Sequence, residues 1–258
     1  MATPKAIVLR AAGTNCDRET VFALAQAGFA AERVHVFRLM EKSALLAEYQ
    51  FLVIPGGFSY GDDVAAGKIL ANQMLHALAD ALNEFVAAGK LVLGICNGFQ
   101  VMMKSGLLPW GKVDPAAAHR DATLAWNTSG RFEDRWIHMA VTSGKCVFLP
   151  KGEHLELPIA HGEGRFVPRD GAVLDTLRKN DQLVLKYVDA HGKPGPYPVN
   201  PNGSVEDVAA LCDPTGRIMG LMPHPERFVD PTQHPQWTRK KPDRADGTIF
   251  FKRAFQYY

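Results

Sequence analysis

The first hundred residues alternate between short apolar runs and longer segments with helical periodicity. The apolar runs are rich in β-branched residues and lie at positions 6–9, 33–36, 51–54 and 91–95. A run that is apolar at every position predicts a strand buried on both faces, as in a parallel sheet. The alternation of such strands with helices therefore predicts a doubly wound, mostly parallel α/β sheet.

Two helices are predicted between these strands. One covers residues 18–31 and begins with a capping box from Thr14 to Asp17. The other carries one stripe of apolar side chains, and Gly89 follows it where a left-handed C-terminal cap is expected. The stripe consists of Leu75, Leu78, Leu82, Phe85 and Val86.

After Pro109 the pattern changes to closely spaced strands and long loops. Strands are predicted at 122–126, 136–141, 146–149, 183–187 and 218–221. Segment 191–204 is predicted as a loop, because its prolines and glycines leave too few backbone N–H donors for the hydrogen bonds of a β-sheet. A second loop is expected at 229–248, followed by a helix at 249–256. These features indicate β-rich insertions in the C-terminal half of a single domain, 1–258.

The composition excludes several classes of function. The chain has 29 basic and 27 acidic residues among 258, and this near-zero excess gives no electrostatic indication of binding to nucleic acid or an anionic membrane. No apolar stretch approaches the roughly 18 residues of a membrane-spanning helix, and no secretory signal is present. The four cysteines lack CxxC or zinc-type spacing, which predicts free thiols, no metal site and a cytoplasmic location.

The most informative string is G-I-C-N-G at residues 94–98, between a predicted strand and a predicted helix. Glycines on both sides of Cys96 permit a sharp turn that lifts the thiol above the carboxyl edge of the sheet. Ligands bind at that edge in open α/β sheets, and the adjoining helix N-terminus favours the thiolate. Cys96 is therefore a candidate nucleophile, and an inert buried thiol is the alternative.

A candidate base lies in the string M-P-H-P-E-R at 222–227. In an extended segment, His224 and Glu226 leave the backbone on the same side, and the flanking prolines favour extension. A carboxylate beside the imidazole would stabilise the imidazolium that forms when the ring takes a thiol proton. A solvent-exposed loop carrying both residues is the alternative.

A candidate oxyanion hole follows the strand at 51–54, in the string P-G-G. Because glycine has no Cβ, the N–H of Gly57 could point into a site together with the N–H of Asn97. The same string alone is a common turn, so this prediction depends on the other two strings.

The three strings, in this order, resemble the class I glutamine amidotransferases, which are Cys-His-Glu glutaminases. Further strings resemble the glutaminase component of phosphoribosylformylglycinamidine synthase and extend over nearly the whole chain. They are GTNCDRE at 13–19, GGFSYGD at 56–62, NTSGRFE at 127–133, PIAHGEGR at 158–165, NPNGS at 200–204 and PHPER at 223–227. The resemblance implies a flavodoxin-like fold and a role in purine biosynthesis.

The same resemblance implies roles for individual residues. Cys96 would attack the carboxamide of L-glutamine, His224 would pass the thiol proton to the leaving nitrogen, and Glu226 would orient His224. Gln100 matches a position that holds the substrate in this class, and Phe132 is expected to line the same pocket.

A synthetase subunit is the partner that the resemblance implies. It would receive ammonia and use ATP and Mg²⁺ to convert formylglycinamide ribonucleotide to the amidine, and a small accessory subunit is a further candidate partner. This chain has no nucleotide-binding motif, so no cofactor is expected in it. We expect His161, Glu163 and Arg165 to contact the synthetase, because this mixture of charges around two glycines suits a polar surface.

Two other functions stay open at this point. A γ-glutamyl hydrolase or a cysteine peptidase would use the same cysteine and histidine. A non-catalytic binding module would keep the fold and lose the base, although the intact His224 and Glu226 argue against it.

Overall fold

The structure, a computed structural model, describes residues 2–116 and 120–258. The strands are β1 (Lys5–Arg10), β2 (Ala30–His35), β3 (Phe51–Ile54), β4 (Leu91–Ile95), β5 (Ala122–Trp126), β6 (Glu133–Val141), β7 (His154–His161), β8 (Glu163–Pro168), β9 (Leu183–Val188), β10 (Val208–Cys212) and β11 (Ile218–Leu221). The helices are α1 (Asp17–Ala27), α2 (Val36–Glu41), α3 (Lys68–Ala77), α4 (Ala79–Ala87), α5 (Asn97–Ser105), α6 (Leu107–Trp110), α7 (Gly171–Lys179), α8 (Trp237–Lys240) and α9 (Thr248–Gln256).

Nine of the described strands form one sheet in the order β2-β1-β3-β4-β11-β10-β9-β6-β7. The first five run parallel, which confirms the predicted doubly wound core. Every residue of β3 and β4 is buried, as expected for strands covered on both faces. Numbered among themselves, these five strands follow the 2-1-3-4-5 order of flavodoxin-like folds. In such folds the ligand crevice lies beside the first strand, at the point where the strand order reverses.

The other four strands of the sheet, β10, β9, β6 and β7, are antiparallel to their neighbours. A separate two-stranded sheet pairs β5 with β8. These elements confirm the β-rich insertions predicted for the C-terminal half. The sequence prediction missed β7, β8, β10 and α7, although β7 alternates between buried and partly exposed residues, which is a period-2 signal.

Helix α1 is shorter than the predicted 18–31. It ends at Ala27 because Gly28 adopts a left-handed φ of 112°, and β2 begins at residue 30. The predicted capping box is also wrong, since the N-cap residue is Cys16 and no side chain caps this helix.

The apolar stripe between residues 75 and 86 belongs to two helices and not to one. Leu78 separates α3 from α4 and has a non-helical backbone, with φ −125° and ψ 5°. The predicted cap at Gly89 is confirmed by its φ of 75° and by its N–H, which donates to the Val86 carbonyl.

The predicted strand at 146–149 is wrong, because this segment consists of turns. Cys146, Phe148 and Leu149 are buried all the same, so the apolar run indicates core packing and not pairing in a sheet. The loop at 191–204 and the final helix are confirmed, and the loop at 229–248 contains the short helix α8.

None of the helices in residues 2–116 and 120–258 has the length and apolar character that crossing a membrane requires.

Helix α5 lies unusually close to the sheet, and two glycines make this possible. A Cβ on Gly98 would lie 1.8 Å from the Ile54 carbonyl oxygen, and one on Gly94 would lie 2.2 Å from Met102 Sδ. Since real Cβ atoms do not approach backbone atoms this closely, glycine at 98 is required for the path of the chain from β4 into α5.

We expect Gly98→Ala to lower the free energy of unfolding by about 3 kcal/mol or more, because the added methyl group forces α5 away from Ile54. Gly171→Ala is the matched control, since a Cβ there meets no atom within 4 Å. It should change stability by less than about 1 kcal/mol. Urea unfolding of both variants checks this, and equal stabilities would contradict the packing argument.

Candidate active site

Cys96 occupies the turn between β4 and α5, as the G-x-C-x-G spacing predicts. Its backbone has φ 49° and ψ −103°, a conformation that residues with a Cβ rarely adopt. Such strain costs about 1–3 kcal/mol and persists only where the surrounding structure enforces it. The thiol is 5% exposed, lines a cavity and donates to the Ala160 carbonyl at 3.6 Å.

His224 and Glu226 arrive from the neighbouring strand, β11. Leu221 pairs with Ile95 in the parallel register, so the chain leaves β11 level with Cys96. The predicted extended conformation is wrong, because Pro225–Arg227 form a 3₁₀ turn. That turn still brings the two side chains together: His224 Nδ1 lies 2.7 Å from Glu226 Oε1, and both residues are buried.

The electrostatic surroundings of His224 favour its charged form. Burial of the imidazole opposes protonation, but the Glu226 carboxylate and the sulfur of Cys96 outweigh it and raise the pKa of His224 well above its ordinary value. Among the described residues, nothing hydrogen-bonds to the buried Nε2 of this ring. The structure thus brings His224 close to Cys96 and leaves one ring nitrogen available to exchange a proton.

The backbone N–H groups of Gly57 and Asn97 are available to bind an anion. Gly57 lines the same cavity as Cys96, and Asn97 is the first residue of α5. Neither N–H donates a hydrogen bond within residues 2–116 and 120–258. Gly57 has a φ of 142°, and a Cβ there would lie 2.8 Å from the backbone of Asn15 and Gly13.

A cavity of about 310 Å³ opens above the Cys96 thiol. Six of the predicted site residues line it: Gly57, Cys96, Gln100, Phe132, His161 and Glu163. Phe132 stacks on Phe58 with ring centroids 6.3 Å apart, and both rings are about half exposed at the opening. Trp126 and Asp62 also line the cavity and were missed by the sequence prediction.

Gln100 is held by protein contacts at both ends of its amide. Its Nε2 donates to the Glu163 carbonyl, and its Oε1 accepts from Asn97 Nδ2 at 2.9 Å. Asn97 also donates to Asp62 Oδ1 at 3.1 Å, which ties the loop before α3 to the start of α5. Burial raises the pKa of the Asp62 carboxyl, while hydrogen bonds from Gly67 and Asn97 oppose this shift.

The segment that contains His161 and Glu163 does not present the polar surface that the sequence predicts. His161 is 2% exposed, and its Nδ1 lies 3.1 Å from Asn127 Oδ1. Glu163 is also buried, and it pairs with Lys104 at 2.8 Å. Arg165 is half-buried, and its Nε has no hydrogen-bond partner among residues 2–116 and 120–258. For His161 and Glu163 the predicted exposure is wrong, because both side chains are buried, with internal partners for His161 Nδ1 and for the Glu163 carboxylate.

Two residues near the site were not predicted. Cys16 Sγ lies 3.9 Å from His224 Nδ1, and Arg227 Nη2 donates to Cys16 Sγ at 3.1 Å. A signal for Cys16 was present in the sequence. It lies a few residues after β1, and the carboxyl ends of parallel strands share one edge of the sheet.

Comparison with known proteins gives a consistent result. The family described as CobB/CobQ-like glutamine amidotransferase domain matches residues 3–258. The phosphoribosylformylglycinamidine synthase subunit PurQ of Dehalococcoides mccartyi is 43% identical over 100% of this chain and 98% of its own length. The PurQ subunit of Archaeoglobus fulgidus is 42% identical over 98% of this chain and 96% of its own.

Solved structures show the same fold. A chain of the PurLQS structure from Thermotoga maritima matches with a TM-score of 0.75 and 33% identity, over 99% of both chains. A glutamine amidotransferase from the same organism matches with a TM-score of 0.52 and 16% identity, over 98% of this chain and 91% of its own.

The burial of His161 predicts a pH dependence of stability. Burial, with a further contribution from His224, lowers the pKa of His161 to about 3 from an ordinary 6.5. Below pH 6.5 the unfolded chain therefore binds a proton that the folded chain excludes until about pH 3. The stability that the neutral His161 contributes is fully present above pH 6.5. It falls by about 1.4 kcal/mol per pH unit as the pH drops through this window.

We expect His161→Gln to remove this slope from the pH dependence of the unfolding free energy, measured with urea at several pH values. His76→Gln is the control, since His76 is exposed on α3. Identical slopes in the wild type and His161→Gln would contradict the assignment of a neutral His161.

Proposed function

Since the chain belongs to the CobB/CobQ-like glutamine amidotransferase family, we propose that it is the glutaminase subunit of a phosphoribosylformylglycinamidine synthase. The observation that carries this proposal is the strained backbone of Cys96, which lies beside a cavity and next to the segment after β11 that holds the His224–Glu226 pair. Tight turns of this kind expose a nucleophile at the carboxyl edge of an α/β sheet. The match to a glutamine amidotransferase family supports glutamine as the substrate, and the full-length similarity to PurQ subunits of this synthase supports a partner subunit.

In the proposed reaction, Cys96 attacks the carboxamide carbon of L-glutamine. His224 takes the thiol proton and returns it to the departing nitrogen, so that ammonia leaves and a γ-glutamyl thioester forms on Cys96. A water molecule then attacks the thioester, giving glutamate and restoring the thiol. Glu226 stabilises the imidazolium form of His224 throughout, which agrees with their 2.7 Å contact.

The tetrahedral oxygen of each step needs donors that are already in place. The N–H groups of Gly57 and Asn97 supply them, because neither is engaged elsewhere in the described chain. Only glycine fits at position 57 in this arrangement, since a Cβ would collide with the backbone of Asn15 and Gly13.

Glutamine binding is assigned to the cavity above Cys96, whose volume of about 310 Å³ suits a small amino acid. After its two protein contacts, Gln100 retains one N–H and one acceptor position for the substrate. The half-exposed ring of Phe132, stacked on Phe58, covers the aliphatic part of the ligand. Asp62 and Asp63 give one side of the cavity an acidic character that suits an α-ammonium group.

The partner in this proposal is a synthetase subunit that receives the ammonia. ATP and Mg²⁺ act in that subunit, where formylglycinamide ribonucleotide becomes formylglycinamidine ribonucleotide, and this chain needs no cofactor. A PurLQS assembly from Thermotoga maritima, one chain of which resembles this protein, supports a complex with a synthetase and a small accessory subunit. The proposal includes a cytoplasmic location, since four free thiols suit a reducing compartment.

The test is an assay of the complex with a synthetase, using glutamine or free ammonia as the nitrogen donor. Cys96→Ala should lower glutamine-dependent synthesis by about 10⁴-fold or more, because no other group can form the thioester. Ammonia-dependent synthesis should be unchanged, since ammonia bypasses Cys96. Cys146→Ala is the matched control, a buried thiol outside the site that should leave both activities intact.

Three outcomes would contradict the proposal. Loss of both activities in Cys96→Ala would assign a structural role to this residue. Hydrolysis of γ-glutamyl peptides in preference to glutamine would indicate a γ-glutamyl hydrolase. Absence of glutamine hydrolysis by the wild-type complex would indicate a non-catalytic module.

A further inference from the structure

Cys16, His224 and Glu226 form a cluster of metal-ligating groups on the side of the imidazole that carries Nδ1. One ligand atom of each residue lies within 4.8 Å of the other two. All three residues are buried, and Glu226 Oε2 has no hydrogen-bond partner in the described part of the chain. The proposed glutaminase reaction uses His224 and Glu226 but gives Cys16 no role.

From this geometry we propose that Cys16, His224 and Glu226 form an inhibitory binding site for a borderline-soft divalent cation such as Zn²⁺. A thiolate, an imidazole and a carboxylate are the donor types that zinc takes in proteins. The site is distinct from the thiol of Cys96, which lines the cavity where glutamine is assigned.

The distances are close to those that a tetrahedral ion requires. Ordinary Zn–S, Zn–N and Zn–O bond lengths place sulfur and nitrogen about 3.6 Å apart, and nitrogen and oxygen about 3.4 Å apart. Here Cys16 Sγ and His224 Nδ1 are 3.9 Å apart, and Nδ1 and Glu226 Oε1 are 2.7 Å apart. Cys16 Sγ and a Glu226 carboxylate oxygen lie within 4.8 Å of each other, and ordinary bond lengths to zinc require about 3.6 Å. Movements of about 1 Å therefore accommodate the ion, chiefly where it replaces the hydrogen bond between His224 and Glu226.

Other contacts of Cys16 also bear on this site. The thiol donates to Asn15 Oδ1 at 3.1 Å, and Arg227 Nη2 donates to the sulfur at 3.1 Å. Burial raises the pKa of the Cys16 thiol, so the free protein holds it protonated and the metal must displace that proton. Arg227 then stabilises the thiolate. A thiolate, a carboxylate and one guanidinium leave a net negative site for the cation.

The inhibitory effect follows from the chemistry of the imidazole, and it rests on the proposed function. A metal ion on Nδ1 leaves the ring proton on Nε2. The ring then has no lone pair with which to take the proton of Cys96, and Glu226 can no longer accept from Nδ1–H. Metal binding itself is independent of whether the chain hydrolyses glutamine.

Titration of the full chain with Co²⁺ tests the site, because thiolate–cobalt charge-transfer absorption reports a sulfur ligand. We expect one Co²⁺ to bind with this absorption to the wild type, to Cys96→Ala and to the control Cys146→Ala. Cys16→Ala should bind Co²⁺ more than about 100-fold more weakly, because loss of even a group outside the coordination shell lowers metal affinity about 10–100-fold. Undiminished binding by Cys16→Ala, or its loss in Cys96→Ala, would overturn the proposal.

Glu226→Gln provides a second test if Cys16→Ala does not fold, as judged by circular dichroism. The amide is a poorer ligand than the carboxylate, so Co²⁺ should again bind more than about 10-fold more weakly. Wild-type affinity in Glu226→Gln would overturn the proposal.

Inhibition is measured in the complex with the synthetase. Zn²⁺ should inhibit glutamine-dependent synthesis at more than about 100-fold lower concentration in the wild type than in Cys16→Ala, each normalised to its own uninhibited rate. Ammonia-dependent synthesis should resist Zn²⁺, which separates this site from metal sites in the synthetase. Equal inhibition of the two variants would overturn the inhibitory role. Co²⁺ binding through Cys16 in a chain without glutaminase activity would contradict the proposed function and support the metal site.

Discussion

The backbone of Gly98 packs directly against the Ile54 carbonyl, and this contact determines where α5 leaves the sheet. Strand β4 ends at Ile95 and α5 begins at Asn97, so the chain turns within one residue after β4. Cys96 is that residue, which explains its positive φ. The strain at Cys96 is therefore offset by the burial of α5 against the sheet, whose residues are buried almost throughout.

The rest of the site follows from the order of the parallel strands. The carboxyl ends of β1, β3, β4 and β11 lie at one edge of the sheet, and a residue of the candidate active site or next to it follows each of these strands. These residues are Cys16 after β1, Gly57 after β3, Cys96 after β4 and His224 after β11. A bridge between Thr14 and Gly57 joins the first two segments across the crevice beside β1. The Cys16 thiol and the His224 imidazole, which are far apart in the chain, thereby come close to each other.

Features that depend on local sequence were predictable. The fully apolar runs located β3 and β4, and the glycine spacing around Cys96 indicated the turn. Features that depend on distant contacts were not predictable. His161 lies next to a glycine in a polar string, but it is buried, and its Nδ1 contacts Asn127 from another part of the chain. The break at Leu78 involves neither glycine nor proline, and no local signal separates α3 from α4.

Cys16 shows most clearly what strand order adds to sequence patterns. Its thiol lies near the same histidine as Cys96, so proximity to His224 alone does not identify the nucleophile. Two differences support Cys96 in the proposed role: its strained turn and its position on the cavity. Cys16 has neither, since it is fully buried at the start of α1.

The most direct test is to label the chain, in complex with a synthetase, with a glutamine analogue that carries a chloroketone in place of the carboxamide. Peptide mass spectrometry then identifies the alkylated residue. The account predicts one adduct per chain on Cys96, with Cys16, Cys146 and Cys212 unmodified. An adduct on Cys16 with Cys96 free would contradict it.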